Sequence, residues 1–215
     1  MTAPDGPRPG RRTVLAGVVA LSLAGPAAAV DRMVPAKKIF PYLDAYLRLP
    51  AAKRSRFTPT YVLIKDRPTG LWIVDGAQKT AIPISVDGHL LRLPTAAQWD
   101  AAQVQVSGPD GAKYGITMKL EALATPATEM DAAGLAAAVT QANDGIKSAM
   151  GLAGLMAPKV DSVVFQGVAA GEVIYADGRR AALPVVKGAP AFEPARHAGA
   201  RTLKFAKAPS ALQLD

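Results

Sequence analysis

YVLIKDRPTGLWIVDGAQKTAIPISVDGHLLRL, residues 61–93, decides the fold. Its apolar residues come in short runs rich in β-branched and aromatic side chains. "YVLIKD" (61–66) and "LWIVDG" (71–76) are each stopped by Gly, Pro or Asp, the punctuation of strands rather than helices. "AIPISV" (81–86) and "HLLRL" (89–93) are separated by Asp87-Gly88 alone. That pair predicts a two-residue hairpin turn with positive φ at both positions. Downstream, "VQVS" (104–107) and "GITMKLEAL" (115–123) flank a second turn at Gly108–Gly111.

A similar series returns later as "SVVFQGV" (162–168), "EVIYA" (172–176), "RAALPVV" (180–186), "TLKFAK" (202–207) and "ALQL" (211–214). An offset of 101 sets Val62-Leu63-Ile64 beside Val163-Val164-Phe165, Gly70 beside Gly171 and Ile73 beside Ile174. After one inserted residue, Asp75-Gly76 meets Asp177-Gly178, and Ala81-Ile82-Pro83-Ile84 then meets Ala182-Leu183-Pro184-Val185. Two readings stand: an internal duplication, or the patterns any two β-meanders share. The alignment bears on "GEVIYADGRRAALP" (171–184), whose acid, glycine and two arginines resemble an anion site. Asp177-Gly178 falls where Asp75-Gly76 makes a plain turn, so the cluster reads as a turn carrying solvated Arg179 and Arg180.

Each series follows a helical pattern. Residues 31–40 read as polar and irregular. Pro41 then suits a first helical position, and Tyr42, Leu43, Tyr46 and Leu47 share one helical face. Lys53, Arg54 and Arg56 cluster after Pro50. Thr128-Glu129-Met130-Asp131 resembles a capping box, and Leu135, Val139, Ala142, Ile146 and Met150 continue a helix over 130–157, weakened by Gly145, Gly151 and Gly154. The expected fold is α+β: mainly antiparallel β-meanders in two lobes, residues 30–124 and 125–215, with a short N-terminal helix and a central helix.

The opening 29 residues are of a different kind. Arg11 and Arg12 precede an apolar stretch from Thr13 to Gly25, Pro26 breaks it, and Ala27-Ala28-Ala29 supplies an A-x-A cleavage site. This is the plan of a secretory signal peptide. The stretch is shorter than the roughly 20 residues a membrane span needs. Arg11-Arg12-Thr13-Val14-Leu15 resembles the twin-arginine signal of bacteria. Val14 stands where phenylalanine is usual, so Sec export stays open beside the favoured twin-arginine route. The resemblance implies a periplasmic or secreted protein, with no transmembrane segment in the mature chain. The mature region's general cast resembles exported proteobacterial proteins of unknown function, and no characterised family.

Composition narrows the chemistry. The 215 residues are 50% hydrophobic and 20% charged, enough to bury a core. There is no cysteine, which removes disulfides, thiolate nucleophiles and zinc–thiolate sites. Two histidines, His89 and His197, are too few for a histidine-rich metal site. The net charge of +8 falls to +6 once residues 1–29, with Arg8, Arg11, Arg12 and Asp5, are removed, and a basic mature chain fits anionic lipid head groups or acidic wall polymers, or plain solubility. Nucleic acid is not an expected partner outside the cytoplasm.

His197 follows Glu193 by four residues, but Pro194 intervenes and the segment reads as a loop; no third ligand accompanies them. The Asp-Gly pairs at 75, 87, 110 and 177 lack the alternating acids of a calcium loop. No nucleophile elbow, dinucleotide fingerprint or phosphate loop is present. No cofactor is expected.

Two segments suit binding: the apolar "AMGLAGLMAP" (149–158), and Tyr42 and Tyr46 beside Lys53, Arg54 and Arg56. For each, the plainer reading is core packing or a solvated charge run. The leading functional expectation is a non-catalytic binding or interaction module, its partner an envelope protein or an anionic envelope component. The alternatives are a hydrolase of envelope material using dispersed carboxylates, and an assembly or chaperone factor using 149–158.

Overall fold

The computed structural model describes residues 29–150 and 159–215. The expected export signal, with Arg11, Arg12 and Ala27, and most of the 149–158 segment lie outside the described residues.

The first half runs β1 (Ala29–Pro35), α1 (Ala36–Ile39), α2 (Leu43–Arg48), a 3₁₀ turn (Ala51–Arg54), β2 (Phe57–Leu63), β3 (Gly70–Asp75), β4 (Gln78–Ala81), β5 (Gln103–Pro109) and β6 (Ile116–Ala122). The second runs β7 (Glu129–Asp131), α3 (Ala132–Met150), β8 (Val163–Gln166), β9 (Glu172–Tyr175), β10 (Arg180–Ala182), β11 (Val185–Val186), β12 (Ala189–Phe192), β13 (Ala200–Lys204) and β14 (Ala211–Leu214). The fold is α+β and dominated by antiparallel sheets, as the short apolar runs require.

The same strand order occurs twice. One four-stranded sheet is β1-β5-β3-β4, and another, read from its far edge, is β7-β13-β9-β10. A six-stranded sheet, β11-β12-β8-β14-β6-β2, takes strands from both halves and joins them where β14 pairs with β6. A bridge from Val62 to His89 extends its β2 edge.

Register refines the 101 offset. Ile73 lies opposite Val104, and Val173 lies opposite Leu203. Ile73 therefore corresponds to Val173, not Ile174. The Ile82 amide donates to the Leu71 carbonyl and the Leu183 amide to that of Gly171, which sets Leu71, not Gly70, beside Gly171. The extra residue sits in the turn. Two residues separate Asp75 from its partner Gln78, whereas three separate Tyr175 from Arg179.

Burial explains the joint. Alternation along β2 turns Phe57, Tyr61 and Leu63 inward. Tyr61 packs with Phe40, Leu43, Ile73 and Val104 in a core belonging to the first half. Leu49 and Phe57 instead join the second core, with Leu135, Ala142, Phe165, Val173 and Leu203. α3 thus lies over strands of both halves.

Several local expectations change. Residues 31–40 are ordered: β1 pairs with β5 along its length, and α1 follows. Pro41 does not open the helix. Tyr42 precedes it in a left-handed conformation, φ 64°, and α2 begins at Leu43. Residues 81–86 and 89–93 meet only through the isolated bridge Ile84–Leu90, because Pro83 has no N–H for a ladder. The Asp87-Gly88 turn is a three-residue loop, with the Ser85 amide donating to the His89 carbonyl; Gly88 has positive φ and Asp87 does not. The two-residue turn with both φ positive is Lys187-Gly188, between β11 and β12. "RAALPVV" divides into β10 and β11 around Pro184. Glu129-Met130-Asp131 is strand, and the helix cap falls at Asp131, whose carboxylate accepts from the Gly134 amide at 2.6 Å.

Candidate functional site

Tyr42 and Tyr46 flank one cavity. Its volume is about 260 Å³. α2 supplies Ala45 and Tyr46, the sheet supplies Phe57, Met118 and Leu120, and α3 supplies Gly145 and Ile146. The left-handed turn at Tyr42 leaves that ring 61% exposed at the cavity. Tyr46 lies deeper. Its hydroxyl donates to the Phe57 carbonyl at 3.1 Å, and its ring meets Phe57 edge-on with centroids 5.6 Å apart. Gly145 makes room for Phe57, since a Cβ there would stand 2.6 Å from the Phe57 Cζ.

Lys53 and Arg56 line a second, polar recess of about 740 Å³ with Gln141, Asp144 and Lys147. The two recesses adjoin along α3, where Asp144, Lys147 and Ser148 face one and Gly145, Ile146 and Ala149 face the other. The 3₁₀ turn between them is pinned by Gln141. Its amide donates to the Ala52 carbonyl at 2.8 Å and to Ser55 Oγ at 3.2 Å, and its oxygen accepts from the Arg56 amide at 2.7 Å.

Arg54 has a different task from its neighbours. Its Nε donates to the Leu49 carbonyl at 3.0 Å, and its guanidinium lies 5.2 Å from the centre of the Tyr46 ring. It braces Leu49 and Tyr46, which line the apolar cavity. The structure therefore places Tyr42, Tyr46, Lys53 and Arg56 on the two cavities, whereas Arg54 lines neither and has an internal role.

The Asp177 cluster is built as a turn. Asp177 Oδ1 accepts from the Arg179 amide at 3.0 Å, and Gly178 has φ 80°. Arg179 stacks over Tyr175 at 4.2 Å, and Arg180 lies 3.5 Å from Glu172. His197 is buried against Phe192 and meets the backbone carbonyl of Glu193 rather than its carboxylate. Among the described residues, no three His, Asp or Glu side chains are grouped to hold a metal.

A polar trough of about 620 Å³ lies on the outer face of the six-stranded sheet. Glu121 stands on its floor, accepts from Thr60 Oγ1 at 3.1 Å and lies 3.9 Å from His89 Nδ1. Lys119, Asp87, Gln166 and Gln213 also line it. Its members come from β2, β6, β8, β14 and the 85–91 loop, so no linear motif marks it. The one sequence signal for it is the polar alternation Lys119–Glu121 on β6 and Gln213 on β14.

Elsewhere, Glu129 is held below the usual carboxylate range by its hydrogen bond and ion pair with Lys204, 2.6 Å away. That pair lies between outer strand β7 and β13, outside the three recesses. No described helix is long and apolar enough to cross a membrane. The chain matches no protein-family model, and no curated protein or solved structure matches it.

Proposed function

We propose that the protein is an exported binding module of the cell envelope, acting without catalysis through the paired recesses beneath α2 and the 3₁₀ turn. The observation that carries it is the convergence of Tyr42, Tyr46, Lys53 and Arg56 on adjoining cavities over one helix. An apolar pocket with a few placed polar groups is the common form of a small-ligand site. The sequence signal at Arg11-Arg12 and Ala27–Ala29 supports export to a compartment where anionic envelope components are at hand.

Native mass spectrometry on protein purified from the envelope of its own host tests this. The expected species begins at Val30 and carries a bound envelope molecule. A variant with Tyr42, Tyr46, Lys53 and Arg56 all changed to alanine loses that molecule. An uncleaved N-terminus, or a mature chain with nothing bound in either protein, overturns the proposal.

The hydrolase reading draws on one observation, the presence of Asp87 and Glu121 in the same trough. Turnover of envelope glycans that disappears in Glu121→Gln would favour it over binding alone.

A further inference from the structure

We infer that the paired recesses take a single-chain anionic amphiphile, with its alkyl tail in the apolar cavity and its acidic head on Lys53, Arg56 and Lys147. This rests on the binding-module reading and names its ligand class.

The tail follows from the walls. Leu49, Phe57, Met118, Leu120 and Ile146 offer no hydrogen-bonding side chain. The Tyr46 hydroxyl is spent on the Phe57 carbonyl. A polar ligand entering here loses its water without recompense. A methylene takes about the space of a water, roughly 30 Å³, so 260 Å³ accepts a chain of roughly eight to ten carbons. Two long acyl chains exceed that volume.

The head follows from charge. Lys53, Arg56 and Lys147 line the neighbouring recess against one acid, Asp144. Among the described residues none of these three cations is ion-paired, and within the recess they outnumber the acid three to one. An anionic group supplies the missing partner. Continuity follows from α3, whose neighbouring positions Ile146 and Lys147 face the tail and head recesses respectively. A ligand bent over this helix spans both.

Isothermal titration of the mature protein with decyl phosphate, below its micelle concentration, tests the assignment. The expected result is saturable binding that weakens about tenfold for each two carbons removed. Decyltrimethylammonium and orthophosphate bind at least about tenfold more weakly than decyl phosphate. Ala45→Phe, which fills the cavity, reduces decyl phosphate affinity by at least about tenfold with an unchanged circular dichroism spectrum. Joint replacement of Lys53, Arg56 and Lys147 by alanine removes the preference for phosphate over ammonium. The chain-length and head-group series use the unaltered protein and stand even if Ala45→Phe fails to fold.

Affinity independent of chain length, or equal for ammonium and phosphate heads, overturns the inference. So does binding that appears only after residues 151–158 are replaced by a polar linker, which would make the chain its own occupant. Each of these leaves the binding-module reading in place if the protein from its host still carries a ligand.

Discussion

Tyr61 shows what one buried polar group contributes. Its ring packs edge-on against Phe40, with centroids 5.1 Å apart, and its hydroxyl donates to the Pro41 carbonyl at 2.7 Å. Burial first, and the Asp44 carboxylate second, push its ionisation well above the ordinary tyrosine range. The folded chain therefore keeps this proton at a pH where the unfolded chain has released it. The contribution is whole below about pH 10 and declines as pH rises beyond it. Tyr61→Phe is expected to cost about 1 kcal/mol near neutral pH through the lost hydrogen bond. The variant should also show a shallower loss of stability between about pH 9 and about pH 11. Urea titrations of both proteins across that range check it. Tyr114 is the opposite case. Among the described residues, its hydroxyl is buried without a hydrogen-bond partner. Tyr114→Phe is expected to leave stability unchanged or raise it by about 1 kcal/mol, read from the urea midpoint. At this scale the sequence is legible where a residue's task is local, as at Asp177-Gly178. It misleads where the backbone has a choice. Asp87-Gly88 has the composition of a two-residue turn but sits in a three-residue loop, while Lys187-Gly188 adopts the tighter form. The lengths of the flanking strands, set by distant pairing partners, decide between them.

The elements are easier to recognise than to delimit. Apolar runs identify most strands, because a pleated strand half in a core must alternate. β1 and β12 escape that pattern. β1 is largely exposed, with Asp31 and Arg32 interrupting its apolar residues, and is held by backbone pairing to β5. β12, Ala189–Phe192, contains Pro190 and small residues that resemble a loop. The period of α3 reveals the helix, but its start falls later than the sequence suggests because Asp131 caps it, not Thr128. Asp131→Ala is expected to cost about 1 kcal/mol, from the lost bond to the Gly134 amide. Thermal unfolding followed at the helical circular dichroism band measures it. At the start of β9, Gly171 lies under Phe205, where a Cβ would stand 2.5 Å from Cε1, with Leu183 Cδ1 at 3.0 Å. Gly171→Ala is expected to destabilise by roughly 1–3 kcal/mol through overpacking, with the urea midpoint as the readout.

At the scale of the molecule, the halves are bound through shared structure. α3 covers Leu49 and Phe57 of the first half, and β6 pairs with β14 inside the six-stranded sheet. Unfolding is therefore expected as a single transition, with calorimetric and van't Hoff enthalpies equal. Two separate transitions would show independent halves. Residues 30–124 expressed alone should not fold cooperatively, because Phe57 and the β6 edge would lose their cover. The candidate site is partly legible for the same reason. Tyr42, Tyr46, Lys53 and Arg56 are close in sequence and can be grouped by eye, but their opposing wall on α3, some 90 residues away, cannot. The trough draws on five segments and gives no local signal.

The long sheet ends cautiously on both sides. Its β11 edge is two residues long and follows Pro184, while its other margin is the bridged loop that follows Pro83. Both prolines turn a carbonyl inward, to the amides of Ala191 and Leu91, and neither has an amide to offer outward. A second copy approaching either margin meets an interrupted ladder, so growth by strand addition stalls at its first step. Polymerisation through this sheet is thus checked by the placement of a pyrrolidine ring at each margin.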